Sequence, residues 1–303
     1  MMPRNGLGVE SMRNRKTKLR SVMVLLTNAI LITAVLTGLI LLLTNFYGLT
    51  QSIRKPGLGV IDHEELRFIP REVWSYEQSL KAIEKLSDQT SAKHLVSEAN
   101  RVVNSSLIHI DWLKVNPLEY RQLVPFWENY FLWAIGKFSG LPQFERYHYA
   151  DYRRNIRRGI GICGDASTVL SSVLDNYGIE NRIVSFKGHV IVEYEDEYGA
   201  WFLADPDFGV EMGGDLQQLV QDPERFRQYY LDAGYATAEV DYLFEAYDST
   251  FAIFDNTYHF MTKRYIFEKV SYVVKWLLPI ILLLFSGLYV LRKRKGNDGA
   301  IKP

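Results

Sequence analysis

The chemistry-bearing groups of this 303-residue chain include one cysteine and six histidines. The cysteine, Cys163, stands in GICGDASTVLSSVLDNYG (residues 161–178), where a glycine-flanked stretch opens an amphipathic helical pattern. A thiol at a helix mouth meets free backbone N–H groups and the positive end of the macrodipole, which favour a thiolate. The backbone N–H groups of Cys163 and Gly164 would also suit an oxyanion. Such a nucleophile needs a base. His189 follows Gly188 at the start of HVIVEYE, a β-rich run that would pack beside the helix. His63, His94, His109, His148 and His259 lie in helical or connector segments without such neighbours. The base in turn needs a group to hold its tautomer. A hairpin folded about Glu197 sets His189 opposite Asp205, Ile191 opposite Leu203 and Glu193 opposite Trp201, on one face of a sheet. Directly opposed residues of that kind have Cβ atoms about 4.5–5.5 Å apart.

Taken singly, each residue has a plainer reading. A free cysteine packs well as a small buried hydrophobe, a histidine can begin a strand with no special role, and an aspartate before Pro206 can simply form a turn. Arg157 and Arg158, just upstream, read as a solvated basic face or as a source of positive potential. The joint placement of a helix-mouth cysteine, a strand histidine and an opposed aspartate is what points to chemistry.

The elements that must position these groups follow from periodicity. Ala166, Val169, Leu170, Val173, Leu174 and Tyr177 recur at helical spacing, with serine and threonine filling the other face. Gly178 supplies a stop. NRIVSFKG, HVIVEYE and AWFLADP then read as three strands of an antiparallel meander. Helical patterns surround this segment: SYEQSLKAIEKLS, SAKHLVSEANRVVNSSL and PLEYRQLVPFWENYFLWAIGKF before it, DLQQLVQDPERFRQYYLDAG and AEVDYLFEAY after it.

Two apolar runs bracket the whole. Residues 22–43 carry no charge over a length sufficient to span a bilayer as a helix. No small-residue cleavage pattern follows, so the run reads as an uncleaved anchor. A second run, Val273 to Leu291, contains Lys275, Trp276 and Pro279 and ends in RKRK. Basic residues precede the first run and follow the second, which predicts both termini on the cytoplasmic side and the rest outside. Residues 21–270 hold 23 Lys plus Arg against 33 Asp plus Glu. That acidic balance excludes a nucleic-acid binder of the basic-patch kind. Outside the cytoplasm cysteines are usually paired in disulfides, so a single one is either inert and buried or kept for its reactivity.

At GICGDASTVLSSVLDNYGIENRIVSF, GHVIVEYE and WFLADPDFG the chain resembles the transglutaminase-like superfamily, a branch of the papain-like thiol enzymes. Its pattern is Gly-x-Cys opening a helix, a Gly-Ile turn into a strand, His beginning the next strand, and an aromatic-rich strand ending in Asp-Pro. The resemblance implies Cys163 as nucleophile, His189 as general base, Asp205 as orienting acid, and acyl transfer through a thioester. Animal members add an upstream tryptophan to the oxyanion hole. Trp127 and Trp133 are the candidates for that place, though neither carries a motif. No calcium-loop pattern is present, so calcium is not carried over.

The expected fold class is therefore α+β, a papain-like/transglutaminase-like core of a helix packed on an antiparallel sheet between two transmembrane helices. The expected organisation is a cytoplasmic basic tail (1–21), transmembrane helix 1 (22–44), a juxtamembrane connector (45–74), a helical part (75–152), the transglutaminase-like catalytic core (153–214), a C-terminal helical part (215–270), transmembrane helix 2 (271–291) and a second basic tail (292–303). The expected function is that of an extracytoplasmic cysteine protease or amidase, or a transamidase. Its partners would be a peptide or protein substrate of the cell envelope, the lipid bilayer and membrane proteins of unknown identity, with no nucleic acid, no cofactor and no metal. The rival readings are a catalytically idle scaffold of an envelope or secretion complex, and acyl transfer from a small thioester donor such as a CoA ester.

Overall fold

The computed structural model describes residues 6–59, 66–68, 72–89 and 91–298. Parts of both tails, part of the 45–74 connector and His63 lie outside the described residues. The elements run α1 (Gly6–Leu49), β1 (Leu66–Phe68), α2 (Tyr76–Glu84), α3 (Ala92–Ser106), β2 (Ile108–Ile110), α4 (Tyr130–Phe138), α5 (Pro142–Glu145), α6 (Tyr152–Arg158), β3 (Ile160–Gly161) and α7 (Cys163–Asn176). There follow β4 (Asn181–Phe186), β5 (Val190–Glu195), β6 (Trp201–Asp205), β7 (Val210–Met212), α8 (Leu216–Gln221), α9 (Glu224–Asp232), α10 (Thr237–Tyr247), β8 (Phe251–Phe254), α11 (Thr257–Phe260) and α12 (Thr262–Asp298). The chain divides into two units, residues 51–271 and the two terminal segments.

Two helical spans, Lys18–Leu49 and Thr262–Lys293, are long and apolar enough to cross a membrane, with mean hydropathies of 2.3 and 2.1; the terminal unit takes the first whole and the second from Tyr272 onward. Leu25, Ile30, Leu43, Leu284 and Phe285 are each more than half exposed. The two helices meet where Gly38 lacks a side chain: a Cβ there would lie 3.1 Å from both Leu283 and the Pro279 carbonyl. Pro279 has no N–H to give the carbonyl four residues back, that of Lys275. Asn45 supplies the missing donor, its Nδ2 lying 2.7 Å from the Lys275 oxygen. Neighbouring side chains commonly repair proline breaks in this way. Asn45→Leu should lower the stability of the detergent-solubilised chain by about 1–2 kcal/mol. Pro279→Ala in the same chain should cancel that loss, because residue 279 then donates its own N–H. Thermal unfolding of the four proteins of this cycle checks it; strictly additive effects would show that Asn45 does not answer the proline.

In the larger unit, an antiparallel sheet of order β7-β6-β5-β4-β8 separates two helical layers. Strand alternation sends Val192, Tyr194 and Ala204 into a core shared with α3, α6 and α7. Val184, Ile191 and Leu203 enter the opposite core, shared with α8, α9 and α10. A smaller sheet, β1-β2-β3, gathers Ile108, Ile110, Trp112 and Ile160 in a third cluster.

Helix α7 is the central element. It ends in a Schellman motif, with Gly178 at φ 69° and the Ile179 N–H bonded to the Leu174 carbonyl. Its expected polar face is buried as well. Ser167 donates to the Val190 carbonyl, and Ser172 bonds Thr257, so short hydroxyls let β5 and α11 approach closely on that side.

Three other expectations change. The segment from Pro117 to Phe138 is helical only over α4, because Pro125 interrupts the pattern and Asn129 caps α4 afresh, its Oδ1 accepting from Phe131 and Leu132. The 75–152 stretch also holds β2, and the 215–270 stretch holds β8, which extends the sheet beside β4. The β5–β6 hairpin centres on Tyr198 rather than Glu197. Asp196 N–H donates to the Ala200 carbonyl and Gly199 takes φ 80°, so Glu193 faces Leu203 instead of Trp201. The slip is two residues, and an even slip keeps every side chain on its face.

Candidate functional site

Cys163 is the first residue of α7 and is half-buried. The approach to it is shaped by two glycines. Gly159 ends α6 in the left-handed conformation at φ 76°. Gly161 has no room for a Cβ, which would lie 2.8 Å from that of Asp165. Asp165, at the third position of α7, reaches back to accept the Ile162 N–H at 3.1 Å. The first N–H groups of any helix have no partner within it, and those of Cys163 and Gly164 occupy that position.

His189 and Asp205 come from the sheet. His189 precedes β5 and is 4% exposed; Asp205 closes β6 and is fully buried. Because of the slip, Asp205 meets His189 diagonally rather than head-on. The ring still reaches it, with His189 Nε2 2.7 Å from Asp205 Oδ2. That leaves Nδ1 as the ring nitrogen for Cys163. Cys163 Sγ, a His189 ring nitrogen and an Asp207 carboxylate oxygen lie within 4.8 Å of one another. Burial pushes the His189 imidazole towards its neutral form, but Asp205 and Cys163 outweigh this and raise its pKa well above the ordinary value.

Asp205 is held by more than the histidine. Its Oδ2 also accepts from Tyr230 at 2.9 Å, and Tyr230 and Tyr247 share a hydrogen bond of 2.6 Å. Its Oδ1 accepts the backbone N–H groups of Asp207 and Phe208. Burial, then the charge of Asp205, raises the pKa of both tyrosines, which therefore stay neutral donors. The His189 ring makes edge contacts with Phe208 and Tyr247.

Several contributors escaped the sequence reading. His109, set aside as lacking suitable neighbours, lies on β2 with its Nδ1 2.8 and 2.7 Å from the two oxygens of Asp207. His148, also set aside, bonds Asp165 at 2.8 Å and stacks on Trp112 with centroids 4.2 Å apart. Arg158 is not a solvated residue. It is 1% exposed, donates to the Tyr147 carbonyl and lies over the rings of Trp112 and Tyr149. Arg157 donates to the Gln51 carbonyl. The Asp165 carboxyl is pushed up by burial, yet His148 and Arg158 bring it below the ordinary carboxylate value.

A cleft of about 630 Å³ opens on Cys163, lined among others by His109, Trp112, Leu113, Gly188 and Tyr242. That volume suits a side chain or a small ligand. Trp127 and Trp133 do not line it; Trp133 packs against Phe126 and Phe138. The assembled groups have the chemical competence of a thiol nucleophile, an imidazole within reach of it, and a buried carboxylate that fixes the imidazole. No family model, curated protein or solved structure matches the chain.

Proposed function

We propose that this chain is a membrane-anchored cysteine acyl-transfer enzyme of the transglutaminase-like kind, with both termini cytoplasmic and its site outside. The observation that carries the reading is the convergence of Cys163, His189 and Asp205 from the mouth of α7, the start of β5 and the end of β6. In the forward step His189 Nδ1 takes the Cys163 proton and the thiolate attacks an amide carbonyl of a peptide or protein. The N–H groups at the mouth of α7 receive the oxyanion. Trp112 joins them: its Nε1 is buried without a hydrogen-bond partner, a costly state that an arriving acceptor would relieve. His189 then protonates the leaving amine, the C–N bond breaks, and a thioester remains on Cys163. Water, deprotonated by His189, attacks the thioester, releases the acid and returns the proton to sulfur. An amine in place of that water would make the same site a transamidase.

The test is the rate of Cys163 alkylation against pH, measured on the full-length chain in detergent with His189→Ala alongside. The expected result is a profile whose midpoint lies below the ordinary thiol value of about 8.5 and returns towards it in the variant. Slow alkylation with an ordinary midpoint in both proteins would mean an idle thiol and favour the scaffold reading.

A further inference from the structure

Asp207 has no part in the acyl-transfer scheme, yet its carboxylate stands within 4.8 Å of both the Cys163 sulfur and a His189 ring nitrogen. That carboxylate, held by His109, opposes a thiolate beside it electrostatically. A bound cation would reconcile the two. We infer that Cys163, His189 and Asp207 form a binding site for a thiophilic divalent ion, Zn²⁺ above all, whose occupancy closes the site reversibly.

The donor set is soft thiolate, imidazole and carboxylate, which selects zinc over magnesium or calcium. Tetrahedral zinc bonds of about 2.0–2.3 Å set ligand atoms about 3.3–3.7 Å apart, so the trio, now within 4.8 Å, would draw together around the ion. Each ligand already has the outer partner such sites require. Asp205 holds Nε2 of His189 and leaves Nδ1 to the ion. His109 bonds both oxygens of Asp207. The sulfur sits at a helix N-terminus. Three protein ligands leave the fourth position to the cleft, so a water or a substrate group completes the tetrahedron. Sequence spacing does not reveal the site because its ligands come from three separate segments.

Metal binding stands on this geometry alone; that it inhibits rests on the acyl-transfer reading. The reduced, chelator-treated full-length chain is titrated with Co²⁺ and then Zn²⁺. One equivalent of Co²⁺ should raise a near-ultraviolet thiolate-to-cobalt charge-transfer band, and one of Zn²⁺ should bleach it and protect Cys163 from alkylation. Cys163→Ser should abolish the band, and His109→Ala should weaken binding about 10–100-fold. No band in the wild-type chain, or zinc binding equally strong in Cys163→Ser and Asp207→Asn, overturns the inference. A band together with metal-free Cys163 that alkylates like a free thiol supports the metal site and removes the enzyme. Base-assisted alkylation with no band does the reverse.

Discussion

Asp205→Asn should lower acylation of Cys163 by about 10⁴-fold, the scale on which a triad loses activity when its histidine is held in the wrong tautomer. The donors around the carboxylate dictate this loss. Oδ1 faces two backbone N–H groups, from Asp207 and Phe208, which cannot turn into acceptors. The asparagine oxygen must therefore take that side, and its NH₂ must take the side of His189 and Tyr230. The tyrosine hydroxyl can rotate to accept. His189 can accept at Nε2 only by moving its proton to Nδ1, the nitrogen that must receive the thiol proton. The loss of charge acts in the same direction. The His189 pKa is raised in the folded chain, so its pairing contributes stability that is full below the ordinary histidine value and fades as pH rises through the raised one. Asp205→Asn should flatten that dependence. The burst of phenolate released by a p-nitrophenyl ester checks the first part, and thermal unfolding of both proteins from pH 5 to 9 checks the second. A burst of wild-type size would make Asp205 a structural residue only and would remove the proposed triad.

Arg158→Met should cost about 3–5 kcal/mol at neutral pH, as expected when one member of a buried ion pair is removed. Arg158 is enclosed by Trp112 and Tyr149, bonds the Tyr147 carbonyl and Asn155, and stands 3.9 Å from Asp165. Methionine fills much of the same volume but leaves Asp165 buried with His148 and the Ile162 N–H as its remaining partners. Asp165 has a depressed pKa, so its contribution is present above the ordinary carboxylate value and is lost as pH falls through the lowered one. In the variant the carboxyl rises, and the gap from wild type should narrow between pH 7 and pH 4. Thermal unfolding of the full chain in detergent at the two pH values measures this. A loss under about 1 kcal/mol that ignores pH would mean that the guanidinium and Asp165 are not energetically coupled. The same variant loosens the first turn of α7, so Cys163 alkylation should become less sensitive to pH in parallel.

The sequence by itself determined the elements whose signals are local. Helix α7 is written in the apolar spacing from Ala166 to Leu174 and in the Gly178 stop, and the meander β4–β5–β6 in its alternation and turns. The two apolar helices follow from length and composition alone. Residue type and period were also enough to single out Cys163, His189 and Asp205, because each lies at the end of one of these elements. Even the mistaken hairpin register did little harm: a two-residue slip preserves the face, and an imidazole is long enough to reach a diagonal neighbour.

Only the tertiary structure decided what surrounds them. His109 and Asp207 are 98 residues apart in sequence, and Tyr230 and Tyr247 sit on helices whose own patterns show nothing but a buried face. Arg158 looked like half of a basic pair until Trp112, Tyr149 and Asp165 closed around it. Strands β2 and β8 are three or four residues long and gain their hydrogen bonds only from distant partners, so no local period marks them. Periodicity and caps act within a few residues and leave a trace in the chain. Charge compensation and hydrogen-bond satisfaction in a buried site act through space, and their partners emerge only when the layers are packed.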